Sequence, residues 1–260
     1  MCRRMISIKS KKEIDIMRKA GEIVALVLER LREVIAPGIT TIELDRITEE
    51  LIRENNAIPS FKGYKSFMEG APDFPGSICA SVNNEVIHGI PGLRRLENGD
   101  IISIDVGAYY EGFHGDAART FAVGNITEEA RRLIEVTEES FFRGIKKAVP
   151  GNRIVDISAE IQAYVESNGF SVVRDFVGHG IGREMHELPQ IPNYKTRERG
   201  PRIQSGMTLA IEPMVNQGKP DVTMLDNMWT IVTKDGSLSA HYENTIAVTD
   251  NGPIILTTLG

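Results

Sequence analysis

Behind Ser10, the apolar residues Ile14, Met17, Val24, Leu28, Leu31 and Ile35 recur at helical spacing until Pro37-Gly38 interrupts them. Ser10 followed by Glu13 forms a capping-box signal at the start of that run. A second helix is predicted from Thr40 or Thr41 to a stop at Asn55-Asn56. Glycine, proline and aromatic residues then dominate "SFKGYKSFMEGAPDFPGS", a loop long enough to suggest a functional or mobile segment. Strands are predicted around Ile78 and Val86, separated by Asn83-Asn84, with two more flanking the turn in "YYEGFHGD". A third helix should run from a Thr127 cap to about Ala148, closed by Pro150-Gly151. The fourth covers Ile154 to Ser167, with Asn168-Gly169 as its stop. Beyond it the pattern is strands and turns, punctuated by "KDGS" and "TDNGP".

The helical stretches contain a faint duplication. "APGITTIELDRITEELIRENN" and "VPGNRIVDISAEIQAYVESNG" each read as a helix end, Pro-Gly, an acidic amphipathic helix and an asparagine stop. Pro-Gly between helices is common, so the match is weak alone. Taken with the strands that follow each copy, it predicts two pseudo-symmetric helix-helix-strand halves. A site at their junction could draw side chains from both.

Composition changes little in this picture. The chain has 260 residues, 41% of them hydrophobic and 25% charged, which suits a globular protein with a substantial core. A net charge of −6 with no basic block argues against broad nucleic-acid binding through phosphates. No apolar run approaches the roughly 18 residues of a membrane span. "MCRRMISIKSKKE" lacks the apolar core of a signal peptide. Cys2 and Cys79 are too far apart to suggest a disulfide framework or a thiolate zinc site. These features place the protein in the cytosol.

Four carboxylates break the pattern. Asp105 interrupts "IISIDVGAYY", Glu212 ends "MTLAIEP", Glu243 lies in "SAHYENTIAVT", and Asp116 opens "DAARTFAV" after a glycine-punctuated turn. An unpartnered carboxylate in an apolar interior costs at least several kcal/mol, so it neutralises or acquires a cation. Too few Lys or Arg residues lie in these runs to pair all four. A metal explains them economically, and four acids suggest more than one ion. Asp105 and Asp116 fall on strands joined by a tight turn and can meet across an antiparallel pair. Turn capping could account for Asp116, but not for Asp105 among Ile101, Ile102, Ile104 and Val106.

All five histidines lie beside glycines or acids: His88 in "VIHGIPG", His114 in "GFHGD", His179 and His186 in "GHGIGREMHELP", and His241 in "AHYEN". A lone histidine is most often structural. His179 is the exception, because flanking glycines would leave its ring unobstructed and let the backbone approach a ligand. One or two imidazoles among several carboxylates form an oxygen-rich set that suits Mn²⁺, Fe²⁺ or Co²⁺ better than structural zinc.

Together "SVNNEVIHGIPG", "ISIDVGAYYEGFHGDAARTF", "GHGIGREMHELPQIPNY", "GMTLAIEPMV" and "HYENTIAVT" closely resemble the type I methionine aminopeptidases, from about Ile6 to the C-terminus. The resemblance implies an α+β pita-bread fold, a curved antiparallel sheet backed by helices with internal pseudo-two-fold symmetry. It implies a tail at residues 1–9 and a single catalytic domain over residues 10–260. It further implies two divalent ions, Fe²⁺, Mn²⁺ or Co²⁺ with Zn²⁺ as an alternative, held by Asp105, Asp116, His179, Glu212 and Glu243. By the family pattern Asp116 and Glu243 bridge both ions, Asp105 serves one, and His179 and Glu212 serve the other. Glu212 would double as general base, with His88 and His186 contacting substrate. The substrates would be nascent polypeptides beginning with Met and a small second residue. A cytoplasmic monomer with transient ribosome association fits that role.

The side-chain pocket departs from the family pattern of Cys, Tyr and Phe. Phe61, Tyr64, Phe74, Cys79, Met185 and Trp229 are the candidates here, with extra residues between Gly63 and Phe74. They are large, apolar or sulfur-bearing, and suit a thioether. The absence of a long insertion between His186 and Glu212 favours the short bacterial subclass. Cys2 is small enough to make the chain's own N-terminus a substrate if translation starts at Met1. Three rival readings remain. A prolidase or proline-specific aminopeptidase shares fold and ligands but usually carries another N-terminal domain. A non-catalytic binding module of the same fold would have lost ligands. A 2-oxoglutarate dioxygenase is suggested by His114-Gly115-Asp116 with a distant His179, but leaves Glu212 and Glu243 unexplained.

Overall fold

The computed structural model describes residues 5–66 and 70–259. The expectations placed on Cys2 and the first four residues, and on the centre of the Gly63–Phe74 loop, lie outside them. Two helices come first, α1 (Lys11–Val34) and α2 (Thr41–Glu54). They are followed by β1 (Ile58–Pro59), β2 (Ile78–Val82), β3 (Glu85–Ile87), β4 (Ile101–Tyr110) and β5 (Phe113–Ala122). A second helix pair, α3 (Glu128–Ile145) and α4 (Ile154–Ser167), leads into β6 (Ser171–Val172), β7 (Val177–Gly180) and β8 (Glu187–Pro192). The chain continues through β9 (Thr208–Ile211), β10 (Met214–Asn216), β11 (Val222–Met224) and β12 (Ile231–Thr233). It closes with β13 (Ser239–His241), β14 (Asn244–Thr249) and β15 (Gly252–Ile255). The duplicated pattern in the sequence is thus a repeated order of two helices, then strands.

Local chemistry explains the helix limits. Ser10 accepts the Glu13 backbone N–H while the Glu13 carboxylate accepts that of Ser10, and Thr40 and Glu43 repeat this reciprocal cap on α2. Helix α1 ends at Val34, with Ile35 already extended at ψ 112, and Pro37 bars its continuation by disfavouring the helical conformation in Ala36. Helix α3 stops short of Ala148. Lys147 and Ala148 donate instead to Gly144 and Ile145, tightening the last residues into i→i+3 turns.

Strand pairing is antiparallel throughout the described residues. Strand β4 pairs with β1 and β2 and forms a ten-residue-per-strand hairpin with β5. Its two-residue turn is Glu111-Gly112, with φ of 45 and 90, the left-handed geometry that matches strand twist. In the second half the order is β15-β14-β9-β7-β8. Strand β3 of the first half pairs with β12 of the second.

Each half has its own apolar core. Val24, Leu28, Leu31, Leu44, Ile102 and Ile104 belong to the first; Leu133, Phe141, Ile157, Ile161, Leu209 and Ile246 belong to the second. A third cluster, including Met17, Phe61, Phe74, Met185, Trp229 and Leu256, draws on both. Between the halves, Ala118 on β5 and Glu243 exchange backbone hydrogen bonds of 3.0 and 3.3 Å. Beside them the Thr245 hydroxyl accepts from the Asp116 N–H at 3.0 Å and donates to its carbonyl at 2.9 Å.

Helix α1 reaches this seam through glycines. A Cβ on Gly21 would overlap the Leu256 carbonyl, and one on Gly115 would come within 2.8 Å of the Gly21 nitrogen. Backbone cannot yield as a side chain can. Gly21→Ala should therefore destabilise the fold by about 2 kcal/mol or more, a fall in Tm of roughly 4–8 °C. Gly92→Ala, where an added Cβ meets nothing within 4 Å, serves as the control. Calorimetry giving equal Tm values for both variants would contradict this account of the packing.

Candidate metal centre

The acids gather at the seam because strand register puts them there. Asp105 pairs with Ala118 and Asp116 with Gly107, so the two aspartates stand diagonally on one face of the β4–β5 hairpin. From the other half, Glu212 follows β9 and Glu243 precedes β14, immediately beyond the Ile211–Asn244 pair. All four line one cavity of about 460 Å³. Buried atoms Asp105 Oδ1, Asp116 Oδ1 and Glu243 Oε1 have no hydrogen-bond partner.

Among the described residues none of the four is paired with a Lys or Arg side chain, and Lys65, which also lines the cavity, pairs with Asp73 at 2.6 Å. The half-buried Arg119 is close, but its guanidinium donates to the carbonyls of Ala118 and Glu243 and to Asn244 Oδ1, and stacks 4.2 Å over Tyr242. Burial therefore dominates the acids' chemistry. It pushes Asp105 up to about 7. It also raises Asp116, Glu212 and Glu243 well above ordinary carboxylate values, with the neighbouring acids adding to the shift.

His179 sits on β7 facing these acids. Its Nδ1 lies 2.9 Å from the Gly180 carbonyl, which can only accept, so Nδ1 carries the proton and Nε2 offers a lone pair. Nε2 stands 3.6 Å from Glu212 and 4.0 Å from Asp116. Burial lowers this imidazole to about 3, so these contacts join a neutral ring to acids and are not ion pairs. The flanking glycines serve a purpose other than ligand access. A Cβ on Gly178 would come within 2.5 Å of the Ala210 carbonyl on β9, and one on Gly180 would overlap that of Leu188 on β8. They allow β7 to fit between its neighbours.

Ligand atoms of Asp116, His179 and Glu243 lie within 4.8 Å of one another, as do those of Glu212, His241 and Glu243. Orphaned carboxylate oxygens, a neutral imidazole with a free lone pair and the lack of a Lys or Arg partner among the described residues together fit divalent metal ions. Asp105 lines the same cavity but belongs to neither triad.

Apolar and sulfur-bearing side chains line the same cavity, Cys79 directly beside Asp105 on the neighbouring strand. Phe61, Phe74, Cys79 and Trp229 line it together with Ile87 and Phe176, which the sequence pattern did not single out. Phe74 and Trp229 meet edge to face at 5.1 Å, and the Trp229 indole donates to the Pro72 carbonyl. Burial raises the Cys79 thiol well above its usual value, keeping it a neutral sulfur surface. Met185, expected among them, is buried with the third apolar cluster and does not line the cavity.

His88 lines the cavity from a strained position. Its φ is 58, rare without glycine, and burial lowers its imidazole to about 4. His186 lies at the rim, exposed to solvent on one side, with its ring 4.3 Å from that of His179. Its Nδ1 is 2.6 Å from the Tyr64 hydroxyl, an arrangement the sequence did not disclose. His114 is turned elsewhere, with Nδ1 2.9 Å from the Ser60 hydroxyl and its ring against Tyr109. It is absent from both triads, which removes the basis for the dioxygenase alternative.

The profile of metallopeptidase family M24 matches residues 15–250. The chain is 61% identical over 253 residues to the methionine aminopeptidase of Clostridium perfringens, spanning 97% of this chain and 99% of that protein. The crystal structure of methionine aminopeptidase from Thermotoga maritima superposes with a TM-score of 0.93 at 47% identity, covering 98% of this chain and 100% of that one. Prolidase from Pyrococcus furiosus gives a TM-score of 0.73 at 25% identity, covering 97% of this chain but only 66% of its own. These neighbours share the pita-bread fold, in agreement with the motifs and the repeated helix-helix-strand order.

The raised acids make stability depend on pH in a definite direction. All five histidines are lowered by burial, so the slope they add fades only about a unit above the ordinary imidazole value of 6.5, where they are neutral in both the folded and unfolded chain. The four acids bind protons more tightly folded than unfolded, so the stability that their protonation supplies is lost as pH rises through their folded values. In EDTA, Tm should fall from about pH 7.5 to about 9. The rise in Tm on adding Mn²⁺ or Co²⁺ should grow over the same window, because the ion binds deprotonated acids. A metal-induced gain that shrank with rising pH would contradict this account.

Proposed function

The chain belongs to metallopeptidase family M24, and on that premise we propose that its cavity holds two divalent ions on Asp105, Asp116, His179, Glu212 and Glu243 and there cleaves the bond behind an N-terminal methionine. The enzyme is a hydrolase, an aminopeptidase of the type I methionine-specific kind that acts when the second residue is small. One observation supports this assignment of residues above the rest. Uncompensated acids and a neutral imidazole share a cavity of about 460 Å³ with apolar and sulfur-bearing side chains, room for a thioether beside the reacting bond.

Bound divalent ions supply Lewis acidity and make a water acidic enough to lose its proton near neutral pH. In our reading Glu212, which lines the same cavity, would take the proton of the attacking water and pass it to the leaving amine. With the Tyr64 hydroxyl donating to His186 Nδ1, 2.6 Å away, Nε2 would carry the N–H toward the scissile carbonyl. His88 supplies a second contact, held at a fixed angle by its strained backbone. The side chain of methionine is received by Phe61, Phe74, Cys79 and Trp229.

We read residues 10–260 as one catalytic domain behind a short lead-in. No helix of the described residues is long and apolar enough to cross a membrane. The proposed setting is the cytosol, with nascent chains as substrates, transient association with the ribosome and a monomeric enzyme. The proposed metal is Fe²⁺, Mn²⁺ or Co²⁺, with Zn²⁺ as the alternative. Prolidase activity is the rival. It is disfavoured by the likeness itself, 25% identity and a TM-score of 0.73 to the Pyrococcus furiosus prolidase against 47% and 0.93 to the Thermotoga maritima methionine aminopeptidase. Hydrolysis of Met-Ala peptides without that of Ala-Pro peptides is expected.

Glu212→Gln should lower kcat by about 100-fold or more, the usual worth of a general base. Wild-type turnover with full metal content would refute the assignment. His186→Ala should lower kcat with metal content nearly intact, whereas His179→Ala should weaken metal binding itself. Equal metal loss in the two variants, measured by elemental analysis after gel filtration, would show that the division between ligand and substrate contact is wrong.

A further inference from the structure

His241 is absent from the ligand set given by the motifs, yet the structure places it between two members of that set. It ends β13, opposite Met214 of β10, and is 2% exposed. Its backbone is held on both sides by Thr120, whose hydroxyl accepts from the His241 N–H at 2.9 Å and donates to its carbonyl at 2.9 Å. The ring therefore projects from a fixed point. Its Nε2 is buried and has no hydrogen-bond partner. The nearest acids are Glu212 Oε2 at 3.7 Å and Glu243 Oε2 at 3.9 Å, both beyond hydrogen-bond reach.

Those separations have a plain geometric reading. Two donor atoms that each lie about 2.0–2.2 Å from one ion stand roughly 3–4 Å apart. Glu212, His241 and Glu243 are spaced as ligands of a common ion, just as Asp116, His179 and Glu243 are, with Glu243 shared. A buried ring nitrogen left unsatisfied is costly, and ligation would remove that cost. We propose that His241 is a sixth protein ligand of the centre, on the ion that Glu212 and Glu243 hold. This rests on the reading of Glu212 and Glu243 as metal ligands, and extends it. The added nitrogen moves the preference of its ion toward Co²⁺, Fe²⁺ or Zn²⁺ and away from Mn²⁺.

The test uses the full chain and two metals, each alone. Co²⁺ and Mn²⁺ are titrated into metal-free wild type, His241→Gln and His179→Ala by calorimetry. Electron spin-echo spectra of the Mn²⁺-loaded proteins, with and without ¹⁵N-histidine, count the coordinated imidazoles. Two are expected in wild type and one in each variant. His241→Gln should bind Co²⁺ about tenfold or more weakly at one of its two sites, with the Co²⁺-to-Mn²⁺ preference reduced there. Unchanged affinities in His241→Gln, or a single coordinated imidazole in wild type, would overturn the proposal. Should His241→Gln fail to fold, His179→Ala decides: a remaining histidine coupling supports ligation by His241, and its absence refutes it. If wild type bound neither metal, or Glu243→Gln bound both unchanged, the reading of the acids as ligands would fail instead.

Discussion

Four carboxylates are held in one pocket, none paired with a Lys or Arg side chain among the described residues, and most of the architecture can be traced to that constraint. The acids repel one another and lose hydration, so each prefers its proton unless a divalent ion replaces it. Arg119 could have relieved the charge, but carbonyl oxygens and the Tyr242 ring hold it on the far side of Glu243. The seam between β5 and β14 is therefore held by neutral means. Backbone bonds between Ala118 and Glu243, and the two-way bond of Thr245 with Asp116, fix the acids without discharging them.

The histidines show how environment sorts one residue type into different duties. His179 is oriented by the Gly180 carbonyl, which leaves a lone pair toward the acids. His186 is oriented by Tyr64 at the solvent rim, and His114 is engaged by Ser60 away from the cavity. His241 is immobilised through Thr120 with its ring nitrogen left free. Burial holds all of these imidazoles below their ordinary value, so they act as neutral donors and acceptors. Among the apolar residues of the cavity, Phe74 and Trp229 pack edge to face, and the Trp229 ring meets that of His88.

Local sequence determined the elements and the chemistry available to them. The caps at Ser10, Thr40 and Thr127, the Asn stops of α2 and α4, and the Glu111-Gly112 turn are written in a few adjacent residues. Helix and turn energetics act over one or two turns of chain, so such features need no distant partner. The acids were conspicuous for a similar reason, because a carboxylate in an apolar strand is anomalous whatever surrounds the strand.

Tertiary structure decided what that chemistry is for. The β4–β5 register put Asp105 and Asp116 diagonally on one face, while the junction of the halves brought Glu212 and Glu243 to meet them. Nothing local distinguishes Met185, which does not line the cavity, from Phe176, which does. The flanking glycines of His179 fit the neighbouring strands, a constraint visible only once β8 and β9 lie beside β7. His241 stands opposite Met214 because β13 pairs with β10, and that places its nitrogen between two acids on other segments. Spacing along a chain fixes which face of a strand a residue occupies; which other face it meets depends on contacts between residues a hundred or more positions apart.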